Sequence, residues 1–293
     1  MPTPPISQIS PKQLARAVGV SESSIKRWAN EGRFPLVRTV GGHRRIAFDE
    51  AIRFIREAQL DVVAPDAIGL GDLGPVQAGT HKDHADRIRE LLTSGDSEGF
   101  RAALVAAFVS GESLCTLCDG PIRKAMESVG ELWLESESGI YEEHRLTALA
   151  TAGLVQAGLL LGSQSGRPIA VGGALRDDLG QLATLMASTV LMEAGFQTVD
   201  IGANTPAASF MVAIERHQPA LVWISANHIQ DSDQALADIE AIIDHAVSKK
   251  IPVVIGGSAV QGLGLPMRAG FELAHSMGEL SAYAKGIGRG LDS

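Results

Sequence analysis

The spacing of apolar and polar positions changes period along the chain, and each change marks a different kind of structure. Ser10 ahead of Pro11 is a helix-start signal leading into Leu14, Ala15 and Val18, and Gly19 stops that helix. Ser21 is placed to cap a second helix. Its Ile25 and Trp28 face inward while Ser23, Ser24, Lys26 and Arg27 lie mostly outward, and Gly32 ends it. Two helices joined by a tight glycine turn predict a helix-turn-helix. Arg38 to Ile46 then folds back around Gly41-Gly42, a pair suited to a two-residue hairpin that would form a wing. Asp49 is placed to cap a third helix carrying Ile52, Phe54 and Ile55.

From about Asp61 to Lys82 the periodicity disappears and Pro65, Gly69, Gly71, Gly74, Pro75 and Gly79 accumulate, which predicts a linker. Helical patterns return over about His84 to Leu92, Gly99 to Val109, Glu112 to Trp133 and Tyr141 to Leu161, and four antiparallel helices are their simplest arrangement. After Gly162 the pattern becomes short apolar strands alternating with helices. The strands are Ile169 to Val171, Thr198 to Ile201, Leu221 to Ser225, Val253 to Ile255 and Phe271 to Ala274. Helices are expected at Leu179 to Glu193, Ala207 to Glu215, Ser232 to Ser248, near Leu263 to Ala269 and after Met277. Such alternation implies a parallel sheet covered on both faces. The predicted fold is therefore α plus α/β and multidomain. A winged helix-turn-helix fills residues 1–60, a linker 61–82, a four-helix bundle 83–162 and a Rossmann-like, flavodoxin-like parallel sheet domain 163–293.

Ligands of such sheets sit beyond the carboxyl ends of the strands. Those ends read Gly172-Gly173, Gly202-Ala203-Asn204, Ser225-Ala226-Asn227-His228, Gly256-Gly257-Ser258 and His275-Ser276, small residues that leave room for a bulky planar or extended ligand. Ordinary turn chemistry also places glycine there.

Composition sharpens the picture in two ways. The 293 residues, 45% of them hydrophobic, suffice for more than one packed core. No apolar run reaches the roughly 18 residues of a spanning helix, and the opening Met-Pro-Thr-Pro-Pro is unlike a secretion signal, so a cytoplasmic protein without membrane attachment is expected. Cys115 and Cys118 cannot make a disulfide framework and supply half of a zinc site at most, so they read as reduced thiols and no metal site is expected. Charge is uneven. The net −9 divides into +5 over residues 1–60, which hold ten Lys and Arg against five Asp and Glu, and −14 over the rest. A basic head on an acidic body favours double-stranded DNA as partner over a membrane surface.

The head resembles the winged helix-turn-helix of the MerR family through Gly19-Val20-Ser21, Ile25-Lys26-Arg27-Trp28, Arg38-Thr39 and Gly41-Gly42-His43-Arg44-Arg45-Ile46. Ser23, Ser24, Lys26 and Arg27 then have access to the major groove. Arg38, His43, Arg44 and Arg45 have access to phosphates or the neighbouring minor groove.

The body resembles the sensory half of the cobalamin-dependent photoreceptor repressors of that family. Trp133 is followed after nine residues by Glu143-His144, as in the helical bundles that cover the upper corrin face. Gly180 at the first helix of the sheet domain, Ser225 after the third strand and Gly256-Gly257 after the fourth also match. The resemblance implies a repressor whose homo-oligomer, dimer or tetramer, releases operator DNA when light breaks the cobalt-carbon bond. Departures are equally plain. The family loop D-x-H-x-x-G carries the lower cobalt ligand, whereas here Asp177 stands at the His position and Leu175 at the Asp position; Leu134 follows Trp133 where the photoreceptors have a second histidine. A carboxylate is a harder ligand than imidazole and leucine is none, so light-driven bis-histidine ligation at these positions is excluded.

Three readings of the pocket stay open. Cobalamin binds with its own base or a water on cobalt, near Trp133, Glu143, His144, Asp177, Gly180, Ser225, Asn227, Gly256 and Gly257. A haem or bilin takes the cleft, with His144, His228 or His275 as ligands and Cys115 or Cys118 as attachment points. Or the body is an empty scaffold. Each residue also has a structural use: Trp133 as bundle core, the two cysteines as buried small hydrophobes, Asp177 and Asp178 as caps of the following helix. The expected function is a non-enzymatic DNA-binding regulator sensing a tetrapyrrole-type ligand. The competing function is a corrinoid carrier for a methyltransferase or mutase.

Overall fold

A computed structural model describes residues 8–71, 73, 74, 76, 81–133, 137–265 and 269–291. It divides into two compact units, Met1–Ser113 with Gly120–Ser163, and Leu114–Asp119 with Gln164–Ser293. No helix among the described residues is long and apolar enough to cross a membrane.

The first unit opens with strand β1 (Gln8–Ile9) and helix α1 (Pro11–Ala17). Ser10 and Gln13 form a reciprocal capping box: the Gln13 N–H donates to Ser10 Oγ (3.2 Å) and the Ser10 N–H to Gln13 Oε1 (2.9 Å). Helix α2 (Glu22–Asn30) is capped by Ser21, whose Oγ accepts the Ser24 N–H at 3.1 Å. Leu14, Ala17 and Ile25 meet in the interior, all fully buried. Strands β2 (Val37–Arg38) and β3 (Arg44–Ala47) form the antiparallel wing, with Arg38 opposite Arg44, and β1 adds to the other side of β3. This register leaves five residues in the loop instead of the expected two. The Thr39 N–H donates to the His43 carbonyl and the Gly42 N–H to the Thr39 carbonyl, with Gly42 at φ +78°. Helix α3 (Phe48–Glu57) corrects another expectation: Ala47 is its N-cap, without a side-chain bond, and Asp49 lies in the first turn, where a carboxylate faces the positive end of the helix dipole.

Residues 61–76 are not a free linker. Val62 and Val76 exchange backbone hydrogen bonds at 2.8 Å, Pro65–Ile68 makes a 3-10 turn, and the Val63 and Ala64 N–H groups donate to the Ala17 carbonyl. Arg16 pairs with Asp66 at 2.7 Å. The buried Val62, Ile68, Leu73 and Val76 explain the difference, with Pro65 opening the 3-10 turn and Gly69, at φ +84°, ending it around this apolar anchor; residues 77–80 lie outside the described set.

Helices α4 (His81–Ser94) and α5 (Ser97–Val109, capped by Asp96) follow. The single helix expected over Glu112 to Trp133 is interrupted. A short α6 (Leu114–Leu117) runs into a π turn at Cys118–Ile122, because Pro121 has no N–H for the helical ladder, and α7 (Arg123–Trp133) resumes. Helix α6 belongs to the second unit, while α7 and the long α8 (Glu137–Leu159) complete the bundle of the first. The head is fastened to that bundle. Arg56 at the end of α3 lies over the Phe108 ring, 3.5 Å from its centroid, and donates to the carbonyls of Phe108, in the last turn of α5, and of Glu112 just beyond it (3.0 Å to the latter).

The second unit continues with β4 (Ile169–Ala174), α9 (Gln181–Glu193), β5 (Gln197–Asp200), α10 (Ala207–His217), β6 (Leu221–Ser225), α11 (Ser232–Ser248), β7 (Val253–Gly256), β8 (Phe271–Ala274) and α12 (Met277–Leu291). All five strands are parallel in the order β5-β4-β6-β7-β8, as alternation predicted. Helix α9 packs with α12, and α10 with α11. In place of the helix expected near Leu263 to Ala269, a 3-10 turn at Ser258–Gly262 precedes a bend at Leu263, and residues 266–268 lie outside the described set. The chain leaves β4 toward β5 on one side and returns to β6 on the other, so the direction of winding reverses between β4 and β6.

Candidate functional site

On the head, Lys26 and Arg27 are exposed along α2, yet both have intrahelical partners. Lys26 Nζ lies 2.8 Å from Glu22 Oε1, and this ammonium holds the Glu22 carboxyl below its ordinary pKa; Arg27 lies 3.8 Å from Glu31. The Ser23 and Ser24 hydroxyls, 2.7 and 2.9 Å from Ser21 Oγ, cluster at the same helix start. Arg38, His43, Arg44 and Arg45 of the wing form no ion pair among the described residues. The wing thus presents uncompensated positive charge, and α2 presents charge that an incoming phosphate must first take from a carboxylate. Val40, at the tip, is fully exposed. Trp28, read as core, is half-buried against Phe54.

In the second unit the carboxyl ends of β4 and β6 meet at the winding reversal, and one residue organises them. Asp178 is 1% exposed; its Oδ1 accepts the Gly180 N–H (3.0 Å), its Oδ2 accepts the Asn227 N–H (2.7 Å), and its carbonyl accepts the Asn204 N–H (2.8 Å). Sequence reasoning gave it only a capping role, whereas the cap of α9 is Gly180. Asp177 precedes it at φ +65° and donates its N–H to Asn204 Oδ1 at 2.9 Å. Asn227 Nδ2 donates to Ser225 Oγ (3.0 Å), and its Oδ1 accepts the Ser258 N–H (3.3 Å). The fold therefore brings Asp177, Gly180, Ser225, Asn227, Gly256 and Gly257 to one edge. It adds Asp178 and Asn204, and the signal for the latter was the Ala-Asn pair recurring just beyond β5 and β6.

The glycines at this edge do different work. A Cβ on Gly257, at φ +123°, would come 2.1 Å from the Ala226 carbonyl, and one on Gly173 would come 2.5 Å from the Gly202 carbonyl, so both permit close backbone approach rather than ligand room. Gly202, at φ +90°, borders open space. Behind the edge, the Trp223 indole donates to Thr184 Oγ1 (3.1 Å), and Thr184 donates to Asp200 Oδ1 (3.1 Å). Desolvation pushes the Asp200 carboxyl up, against the pull of its bonds from the Gly202 N–H and Thr184.

Glu143 and His144 lie on α8 of the first unit. Thr147 donates to Glu143 Oε1 at 2.9 Å, and the His144 ring is exposed, 3.6 Å from Glu143 Oε2. Trp133 closes α7, and its side chain and Leu134 lie outside the described residues. Cys118 is buried and Cys115 half-buried; His228 and His275 are exposed beyond β6 and β8. No group of three or more His, Cys, Asp or Glu among the described residues is placed to hold a metal ion.

Replacing Asp178 with alanine is expected to leave the Gly180 and Asn227 N–H groups without acceptors, at about 1–3 kcal/mol for each buried donor. Urea unfolding of the variant should show a clearly lowered midpoint, and an unchanged one would mean that Asp178 does not hold the edge together.

Comparison with known proteins places three domains along the chain. A helix-turn-helix domain matches residues 9–59, and B12 binding domains match residues 84–156 and 168–264. The dimethylamine corrinoid protein 3 of Methanosarcina acetivorans is 25% identical over 105 residues, 36% of this chain and 49% of that protein, so the chain spans about half the length of that curated relative. The structure of the Methanosarcina barkeri monomethylamine corrinoid protein is similar in fold, with a TM-score of 0.53 and 16% identity, over 71% of this chain and all of that one. The chain thus combines a helix-turn-helix domain with B12-binding domains.

Proposed function

We propose that this protein is a DNA-binding transcriptional regulator of the MerR type, most simply a repressor, whose body binds a corrinoid and passes its state to the head through the oligomer. The observation that carries this reading is the joining of a basic winged head to two B12-binding domains in one chain. A head this small contacts little DNA, so useful affinity requires several heads held by their bodies. Arg56 gives the head a fixed seat on the bundle in place of a loose tether.

The edge around Asp178 suits the amide-bearing rim of a corrinoid, since the exposed Asn204 and the half-buried Asn227, the latter held by the buried Ser225, place side-chain amides beside the open space at Gly202. It does not suit cobalt ligation, because the loop supplies the Asp177 carboxylate and no imidazole. A bound corrinoid supplies the light- and redox-sensitive chemistry of its metal; the residues here bind and orient it. The second reading, a corrinoid carrier, is favoured by the names of the relatives and disfavoured by the DNA head, for which a carrier has no use.

Gel shifts with operator DNA, with and without adenosylcobalamin, dark and illuminated, test the proposal; indifference to DNA under every condition would overturn it. Within that assay Arg44→Ala should lower affinity about tenfold and reduce the salt slope by about one contact. Lys26→Ala should have the smaller effect, because Lys26 must leave Glu22 to reach a phosphate. Equal affinities for both variants and the unaltered protein would remove the assigned surface.

A further inference from the structure

Cobalamin can be held in two forms. In one its own benzimidazole stays on the cobalt. In the other the base leaves, a protein nitrogen replaces it, and the freed nucleotide tail is threaded into the protein interior. The second form needs both a nitrogen donor beside the cobalt and interior space below the strand ends; among the described residues the loop after β4 offers no such donor and the layers beneath it no such space.

The loop after β4 presents Asp177, held at φ +65° with its N–H tied to Asn204, and the buried Asp178 behind it is committed to the N–H groups of Gly180 and Asn227. Both residues are carboxylates. The interior below is filled on both sides of the sheet. On the α9 side the Trp223 indole, 2% exposed, lies so close to β4 that a Cβ on Gly172 would be 2.2 Å from its Cδ2. That ring is pinned by the hydrogen-bond chain through Thr184 to Asp200, and α9 also carries the buried Met186 and Val190. Across the sheet, Leu175, Phe210, Ile224, Ile239, Ile242 and Ile255 belong to a continuous buried apolar cluster. Threading a polar nucleotide through either layer would open close-packed core, and moving Trp223 would also take its indole N–H away from the Thr184 hydroxyl, its acceptor.

We infer that a corrinoid bound at this edge keeps its own base on the cobalt, the protein contributing no axial nitrogen, so that the site selects complete, base-bearing cobalamins. This rests on the corrinoid reading above. It makes the protein's response independent of any histidine exchange beneath the metal.

The test uses the full-length protein, unlabelled and grown with nitrogen-15 histidine, loaded with cob(II)alamin, freed of excess by gel filtration and examined by frozen-solution electron paramagnetic resonance. The expected result is a nitrogen-14 triplet on the cobalt lines, the same in both preparations, because the nitrogen belongs to the ligand. A doublet in the labelled preparation would show a protein imidazole on cobalt, from His228, His275 or any other position, and would overturn the inference alone. Loss of nitrogen splitting would overturn it too, since the base would then have left. Absence of corrin absorbance from the protein fraction is a separate outcome, which removes the corrinoid reading itself.

Discussion

Gly172→Ala is expected to destabilise the sheet unit by about 3 kcal/mol or more, at the upper end of what one added methyl costs in a packed core. The reason is that its new neighbours cannot yield. The added Cβ would lie 2.1 Å from the Trp223 carbonyl oxygen and 2.2 Å from the indole Cδ2. Gly172 pairs directly with Trp223 in the β4–β6 ladder, so the carbonyl is fixed by the strand itself and the ring by Thr184. Removing the indole as well, with Trp223→Ala, leaves the carbonyl clash in place, so the double variant should not recover. Urea denaturation followed by far-ultraviolet circular dichroism measures both. A single variant with the midpoint of the unaltered protein would show that β4 and β6 are not in this register.

Much of this was legible beforehand. The sequence pattern placed five strands within a few residues of their observed limits; the central β4, β6 and β7 were plainest, since parallel strands buried on both faces read as near-continuous apolar runs, whereas β5 and β8 are the half-exposed edges. Periodicity failed where a few residues overrode it. Pro121 turned one expected helix into α6, a π turn and α7, and the apolar Val62, Ile68 and Val76 drew a glycine- and proline-rich stretch onto the head. The candidate site was half visible. Strand-end positions such as Ser225 and Asn227 follow from topology, which a sequence reveals. The organising role of Asp178 does not, because it depends on Asn227 returning from another strand, 49 residues away, to place its N–H on the carboxylate. Likewise Gly172 and Gly257 look like ligand room in one dimension and prove to be packing contacts in three.

Phe54→Ala should abolish operator binding without touching a single charge. Phe54 is 1% exposed and central to the head: its ring lies 4.7 Å from Phe34 and 5.4 Å from Trp28, centroid to centroid, with the Arg33 guanidinium 4.9 Å above it. Truncating such a ring costs about 3–5 kcal/mol, a large share of what a region of some fifty residues can hold. Trp28 sits on α2, so the loss frees the helix that carries Lys26 and Arg27 from its support. The contrast with Arg44→Ala separates architecture from charge. The arginine variant keeps the fold and gives up one phosphate contact, so its deficit shrinks as salt rises, whereas the Phe54 variant should fail at every ionic strength while the sheet unit retains its strand signal in circular dichroism. Operator affinity surviving in the Phe54 variant would mean that the basic residues act without the helix-turn-helix scaffold, as a disordered cationic segment does, and the geometry of α2 and the wing would then have no part in reading DNA.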